Sequence, residues 1–298
     1  MNEILISPPH RRRRGKVFLK RLVWSAANSC ALSGLYAWRL ERHWLRIERR
    51  EMPLPNLGRS FCGATLAHVS DIHCSLIVRE GYLRQCVQEI NALETDFVAI
   101  TGDFITGAGT YARRIARILG SLRPKVAVLA CLGNHDYGIL HPRGLGGRRE
   151  LAEMVAGELC HADIFVMMNE PRVFRRDGSA VQFVGLEDYW SRRYDPHLAF
   201  EAACERVPTI ALCHNPDAAP ELADHGADWV LAGHTHGTAA NEKNFPEILL
   251  PTEHKHFSAG EYPLGPGQYL YVNRGLSYGR RTNLNSRPEI TVFTLRRA

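Results

Sequence analysis

No two cysteines in this chain stand in a CxxC pair. The eight present are Cys30, Cys62, Cys74, Cys86, Cys131, Cys160, Cys204 and Cys213, several of them inside apolar runs. Without that spacing the usual thiolate metal and redox motifs are absent, and buried reduced thiols are the expectation. A chain of 298 residues that is 45% apolar has core enough to do without a disulfide framework. Internal repeats and low-complexity tracts are missing too, so no solenoid is expected. Positive charge is scarce outside the first 50 residues. Those 50 hold 12 Lys+Arg against 3 Asp+Glu, whereas the remaining 248 hold 25 against 28. The body therefore has no nucleic-acid footprint, and a nuclease groove is not expected.

The N-terminal 50 residues read differently. Arg11 to Arg14, Lys16, Lys20 and Arg21 precede Leu22 to Trp38, which runs for 17 residues without a charge. That is the short end for a transmembrane helix, and a basic stretch before an apolar one has the form of a signal or signal-anchor. Residues 38–50 mix Trp, Leu and Ile with arginines, as in a helix lying on a lipid surface. Residues 1–50 are thus expected to associate the protein with a membrane. Charge before the apolar stretch would put the body outside the cytoplasm, whereas unpaired cysteines lean the other way. Pro53 and Pro55 mark the boundary, with one folded domain expected over 51–298.

From Ala64 onward, apolar runs alternate with helical patterns. Helices are expected over Tyr82–Leu93, 111–122, 149–160 and 197–205. Further strands are expected at Val181–Val184, Gln268–Val272 and Glu289–Phe293, and a long loop over 238–266. Strands alternating with helices give an α/β layered domain.

Five strand ends finish in the same residue types. They are Asp71-Ile72-His73, Gly102-Asp103, Gly133-Asn134-His135-Asp136, His214-Asn215 and Gly233-His234-Thr235-His236. In open α/β sheets, sites form beyond the carboxyl ends of strands. Oxygen and nitrogen ligands without a thiolate suit two hard or borderline divalent cations, such as Mn, Fe or Zn. Two cations need a bridge, and Asp103, alone at its strand end, can offer one oxygen to each. Cations ~3.5–4 Å apart clamp a phosphoryl group and acidify a shared water.

The ordered set Asp-x-His, Gly-Asp, Gly-Asn-His-Asp, His and Gly-His-x-His resembles the calcineurin-like metallophosphoesterase superfamily over about residues 60–298. The resemblance implies a four-layer α-β-β-α sandwich of two mixed sheets flanked by helices. It implies that Asp71, His73, Asp103 and His236 hold one divalent metal, and that Asp103, Asn134, His214 and His234 hold the other. It also implies that His135 contacts the substrate phosphate and protonates the leaving oxygen, for which a positioned imidazole is suited. Asp136 either orients that imidazole or caps a helix.

A narrower resemblance is to bacterial membrane-associated phosphodiesterases, including UDP-2,3-diacylglucosamine pyrophosphohydrolases of lipid A synthesis. It rests on the N-terminal segment, Leu186 to Arg192, His214 to Asp217 and Tyr271 to Leu276. The chain departs from that subgroup at Gly237-Thr238-Ala239, where Gly-Gly-Gln is usual. It implies a phosphodiester or pyrophosphate substrate, lipid-linked, hydrolysed at a membrane surface; a soluble phosphodiester and a non-catalytic scaffold are the alternatives. No protein partner is implied. Asp217 is expected in a turn, His254 and His256 in solvent, and His68 in packing. Arg274, Arg280 and Arg281 are open between substrate contact and carboxylate pairing.

Overall fold

The structure, a computed structural model, describes residues 44–141, 147–237, 252, 254, 256–278 and 287–298. Two six-stranded mixed sheets form the centre. The first has the order β1-β12-β2-β3-β4-β5, from β1 (Arg46–Leu54), β12 (Glu289–Arg297), β2 (Thr65–Val69), β3 (Phe97–Thr101), β4 (Ala127–Cys131) and β5 (Ile164–Val166). The second runs β10-β11-β9-β8-β7-β6, from β10 (Gly260–Gly265), β11 (Gln268–Val272), β9 (Trp229–Ala232), β8 (Thr209–Leu212), β7 (Ser179–Gly185) and β6 (Glu170–Arg176). β2, β3, β4 and β5 are parallel, as are β7, β8, β9 and β11. Antiparallel pairs β12–β2, β10–β11 and β6–β7 make both sheets mixed.

Strand alternation builds the layers. Along β3, Phe97 and Ala99 enter the core between the sheets, while Val98 and Ile100 face α1 (Glu80–Ala92), α2 (Ala112–Leu119) and α3 (Arg149–Cys160). Along β9, Trp229 and Leu231 face inward, and Val230 and Ala232 face α4 (Pro196–Glu201) and α5 (Ala219–Asp224). A strand apolar at every position is one buried on both faces. Two such sheets back to back, each with helices on its outer face, make the expected four-layer α-β-β-α sandwich. His68, on β2, is buried against Tyr271 and Phe293, with Nε2 2.9 Å from Thr101 Oγ1.

Two expectations about the chain's first part are corrected. The described end of the helix expected over 38–50 is a strand: β1 runs from Arg46 across position 50 and pairs in parallel with β12 along its whole length. Its Arg and Glu residues suit an edge strand, where one row of backbone groups stays open and charge discourages further pairing. The expected membrane-associated localisation is also overturned, since among the described residues no helix is long and apolar enough to cross a membrane. The basic and apolar stretches of residues 11–43 lie outside the described residues, as do Arg280 and Arg281. The loop expected over 238–266 contains β10 in its described part, which pairs with β11 as a hairpin.

Candidate metal centre

The parallel strands β2, β3, β4, β8 and β9 end at one edge of the sandwich. There the backbone turns sharply. Asp71, His73, Asp103, His234 and His236 have φ of 50°, 48°, 55°, 72° and 54°, all in the left-handed region. Non-glycine residues there cost about 1–3 kcal/mol each unless their surroundings hold them. Hydrogen bonds between neighbouring turns do so. The N–H of Asp71 donates to Gly102 O at 3.1 Å, and that of His73 to Asp103 O at 2.8 Å. Within the second sheet, Gly233 N–H donates to His214 O at 3.0 Å, and across the two sheets His234 N–H donates to Asp71 Oδ2 at 3.0 Å. Gly275, at φ 78°, lets its loop lie on Asp71, where an added Cβ would stand 2.6 Å from Asp71 Cβ. Leu276 and Ser277 then donate to the carbonyls of Ser70 and Asp71 at 2.9 and 2.8 Å.

These turns bring seven side chains of the expected ligand types into one buried cluster. Asp103 Oδ2 stands 3.3 Å from His73 Nε2 and 3.3 Å from His214 Nε2. His236 Nε2 is 3.3 Å from Asp71 Oδ1 and 3.1 Å from His73 Nε2. His234 Nδ1 lies 3.0 Å from Asn134 Oδ1, and the His214 and His234 rings are 5.1 Å apart. The Asn134 amide is oriented from behind, its Nδ2 donating to Ile139 O at 2.6 Å. His135 sits beside the cluster, its ring 4.9 Å from that of His73. One detail differs from expectation. Asp103 Oδ1 accepts the His135 N–H at 2.9 Å, so Oδ2 alone faces the histidines on both sides.

The chemistry of these donors fits divalent cations. Three sets of donor atoms lie close enough to share an ion: Asp71, His73 and His236; His73, Asp103 and His135; and Asp71, Asp103 and His214. His214 Nδ1 is 2.6 Å from Thr101 O, a bond that orients the ring and turns its other nitrogen toward the cluster. Buried Asp71 Oδ1 and His214 Nε2 have no hydrogen-bond partner within the protein. The electrostatics also call for positive charge. Burial pushes the His214 imidazolium down, but the attraction of the Asp103 carboxylate and then of Asp71 outweighs it and pushes His214 up to about 10. Burial opposes the Asp103 carboxylate likewise, yet His214, His135 and His73 hold it well below the usual range. His73, buried further from balance, is pushed down to about 3 by desolvation. Cations answer the same demand as these protons.

Other residues resolve differently from their sequence readings. Asp136 accepts Ile105 N–H at 3.1 Å and Gly133 N–H at 2.9 Å, so it braces the exits of β3 and β4, and no helix begins there. Burial, with Asp103 beside it, pushes its carboxyl up to about 7. Asn215 Oδ1 takes the Asp217 N–H at 2.9 Å, and Asp217 Oδ1 in turn accepts from His254 N–H at 2.9 Å. His254 and His256 are exposed. Arg274 is paired with Glu289.

Two residues of the site were not singled out individually in the sequence. Trp190 sets its ring edge-on to His234, with centroids 4.6 Å apart. Asp188 is buried, with Oδ1 accepting the Trp190 N–H at 3.0 Å and Oδ2 without a hydrogen bond. Burial pushes Asp188 up to about 7 against the pull of His214. Both follow β7, a sixth parallel strand ending at the same edge; Leu186-Glu187-Asp188 after an apolar run was the available signal.

Residues 64–238 match the family model described as calcineurin-like phosphoesterase. The UDP-2,3-diacylglucosamine pyrophosphatase LpxG of Chlamydia trachomatis is 28% identical, covering 88% of this chain and 92% of that protein. The uncharacterized metallophosphoesterase YkuE of Bacillus subtilis is 30% identical over 94% of this chain and 96% of its own length. The phosphodiesterase YaeI of Escherichia coli is 28% identical over 76% and 80%. The chain belongs to the calcineurin-like phosphoesterase family, and it is a metal-dependent phosphoesterase with a dinuclear divalent-metal site.

Proposed function

We propose that this phosphoesterase hydrolyses a phosphodiester or pyrophosphate bond, and that its substrate is lipid-linked, with UDP-2,3-diacylglucosamine as the compound to test first. One metal would be held by Asp71, His73, Asp103 and His236, the other by Asp103, Asn134, His214 and His234. The observation that carries the assignment is Asp103 Oδ2, which stands 3.3 Å from a histidine of each set. When bound, two such cations neutralise phosphoryl oxygens and supply a nucleophilic water at neutral pH.

The chain's own residues do the rest. The paired sheets fix seven ligating side chains on rigid strand ends, which suits a reaction that depends on positioning. Hydrolysis adds water across a P–O bond, and an alkoxide leaving group must gain a proton as it departs. The His135 imidazole, at the edge of the cluster, supplies it, and its backbone is held by Asp103. Cleavage of a nucleoside diphosphate sugar between its phosphorus atoms gives a nucleoside monophosphate and a sugar phosphate. The lipid-linked substrate is supported by the pyrophosphatase relatives from Chlamydia trachomatis and Chlamydia muridarum, each 28% identical over 88% of the chain. The phosphodiesterase YaeI supports a second reading, a soluble phosphodiester.

The test is hydrolysis of bis-p-nitrophenyl phosphate and of UDP-2,3-diacylglucosamine in detergent micelles, with and without Mn²⁺. Metal-dependent turnover of both, with UMP as product from the second, supports the proposal. Turnover of the soluble diester alone supports the second reading. No turnover with any divalent metal leaves a metal-binding scaffold.

A further inference from the structure

The three most exposed large hydrophobic side chains among the described residues lie in two loops, and both loops carry residues of the metal centre. Leu76 is 86% exposed, Leu140 71% and Ile77 64%. Leu76 and Ile77 follow His73 by three and four residues. Leu140 follows His135 by five. Single exposed apolar residues are ordinary on a surface. Three of the most exposed, in the loops that carry His73 and His135 of a site for charged phosphates, are not what that chemistry alone requires.

Their exposure is held in place. The turn at Leu76 and Ile77 is fixed by Val78 N–H donating to Ser75 Oγ at 3.3 Å and by Tyr278 OH donating to Ile77 O at 2.7 Å. At Leu140, the preceding Ile139 N–H donates to Asn134 O at 2.8 Å, folding the chain back beside the ligand residue. The neighbours Val78 and Ile139 are buried, 1% and 3% exposed, so each loop anchors one apolar side chain inward and turns the next outward. A separation of three residues spans at most about 11 Å of chain, which keeps Leu76 within one substrate length of His73.

We infer that Leu76, Ile77 and Leu140 form an apolar rim that receives the acyl chains of a lipid-linked substrate while its phosphates occupy the metal centre. This rests on the lipid-linked substrate proposed above. A nucleotide or a small phosphodiester has nothing apolar to place there. A diacylated sugar attached to a diphosphate carries its alkyl chains on the ring bonded to that diphosphate, within reach of loops that leave the metal centre. The rim then selects acylated over non-acylated substrates without touching the chemistry.

The test uses the full-length, metal-loaded protein, the double variant Leu76→Gln/Ile77→Gln and the single variant Leu140→Gln. Each is assayed on UDP-2,3-diacylglucosamine in detergent micelles and on UDP-N-acetylglucosamine, which has the same diphosphate with an acetyl group in place of long acyl chains. Wild type should prefer the acylated substrate. Each variant should lower the ratio of the two kcat/KM values by roughly 10–100-fold, the range that hydrophobic pocket contacts supply, with the change in KM. Metal content and circular dichroism should match wild type. A ratio that stays at the wild-type value overturns the rim, as does an equal fall on both substrates. Wild-type protein that hydrolyses bis-p-nitrophenyl phosphate but ignores the acylated substrate overturns the substrate proposal itself, and the rim with it.

Discussion

Asp103 accepts the backbone N–H of His135 through Oδ1 at 2.9 Å, and its other oxygen stands 3.3 Å from both His73 Nε2 and His214 Nε2. The strand exit of β3 thereby positions both the proposed bridge and the residue proposed as the acid. It also separates two functions of one carboxylate, since an amide oxygen could still accept the His135 N–H but could not lend a second metal its charge.

Asp103→Asn and Asp103→Ala are therefore expected to lose both metals, the Asn variant with its fold kept. Wild type should carry two divalent ions per chain by elemental analysis after gel filtration, and both variants close to none. Activity should fall by more than about 100-fold, because even residues that only orient metal ligands are worth 10–100-fold. One metal retained in either variant would show that Asp103 serves a single site.

His135→Ala should keep both metals and lose catalysis. General acid catalysis contributes roughly 10²–10⁴-fold, and the loss should depend on the leaving group. A p-nitrophenolate or a phosphate monoester, whose second pKa is about 6, leaves with little help, whereas an alkoxide needs its proton. Comparing kcat for wild type and variant across a series of aryl and alkyl phosphodiesters gives the dependence on leaving-group pKa. Parallel lines would reject the acid role and leave phosphate positioning.

Much of the site was legible because its ligands need particular atoms at strand ends, and strand ends are visible where apolar runs stop. Val69 before Asp71, Ile100 before Asp103 and Leu231 before His234 mark them. What was hidden depends on partners distant in sequence. Residues 46–50, the first part of β1, read as the end of a helix because their Arg, Glu and Ile fit either period, and only pairing with β12, from Arg46 with Glu289 onward, decides for a strand. Asp136 offered two roles by spacing and takes a third, since its acceptors serve Gly133 and, across the sheet, Ile105. The choice between the two oxygens of Asp103 is likewise set by one backbone N–H that no residue type announces.

The end of the sandwich away from the metals offers a test of its electrostatics. Asp228 precedes β9, and its Oδ2 accepts the Thr209 N–H at 2.7 Å. Burial pushes its carboxyl up to about 6, against the opposing pull of that N–H. In the unfolded chain an aspartate titrates near 3.9. Between about pH 4 and 6 the folded state thus holds more proton than the unfolded one, so stability falls as pH rises through this window. Above about 6 the penalty is complete. Asp228→Asn keeps an oxygen for Thr209 and cannot ionise, so it should be more stable than wild type at pH 7.5 and no more stable at pH 4. Two pKa units, discounted for the partial exposure of Asp228, leave about 1 kcal/mol. For a domain of this size that is a rise in Tm of roughly 2–4 °C. Thermal melts of both proteins in the same buffers from pH 4 to 8 measure the difference and cancel effects common to both, including any from the metal ligands. A difference that stays flat across the series, or a variant less stable at pH 7.5, would show that Asp228 is not the strained carboxylate described here. Phosphodiester hydrolysis should be the same in the two, because Asp228 lies at the opposite strand ends from Asp103 and its histidines.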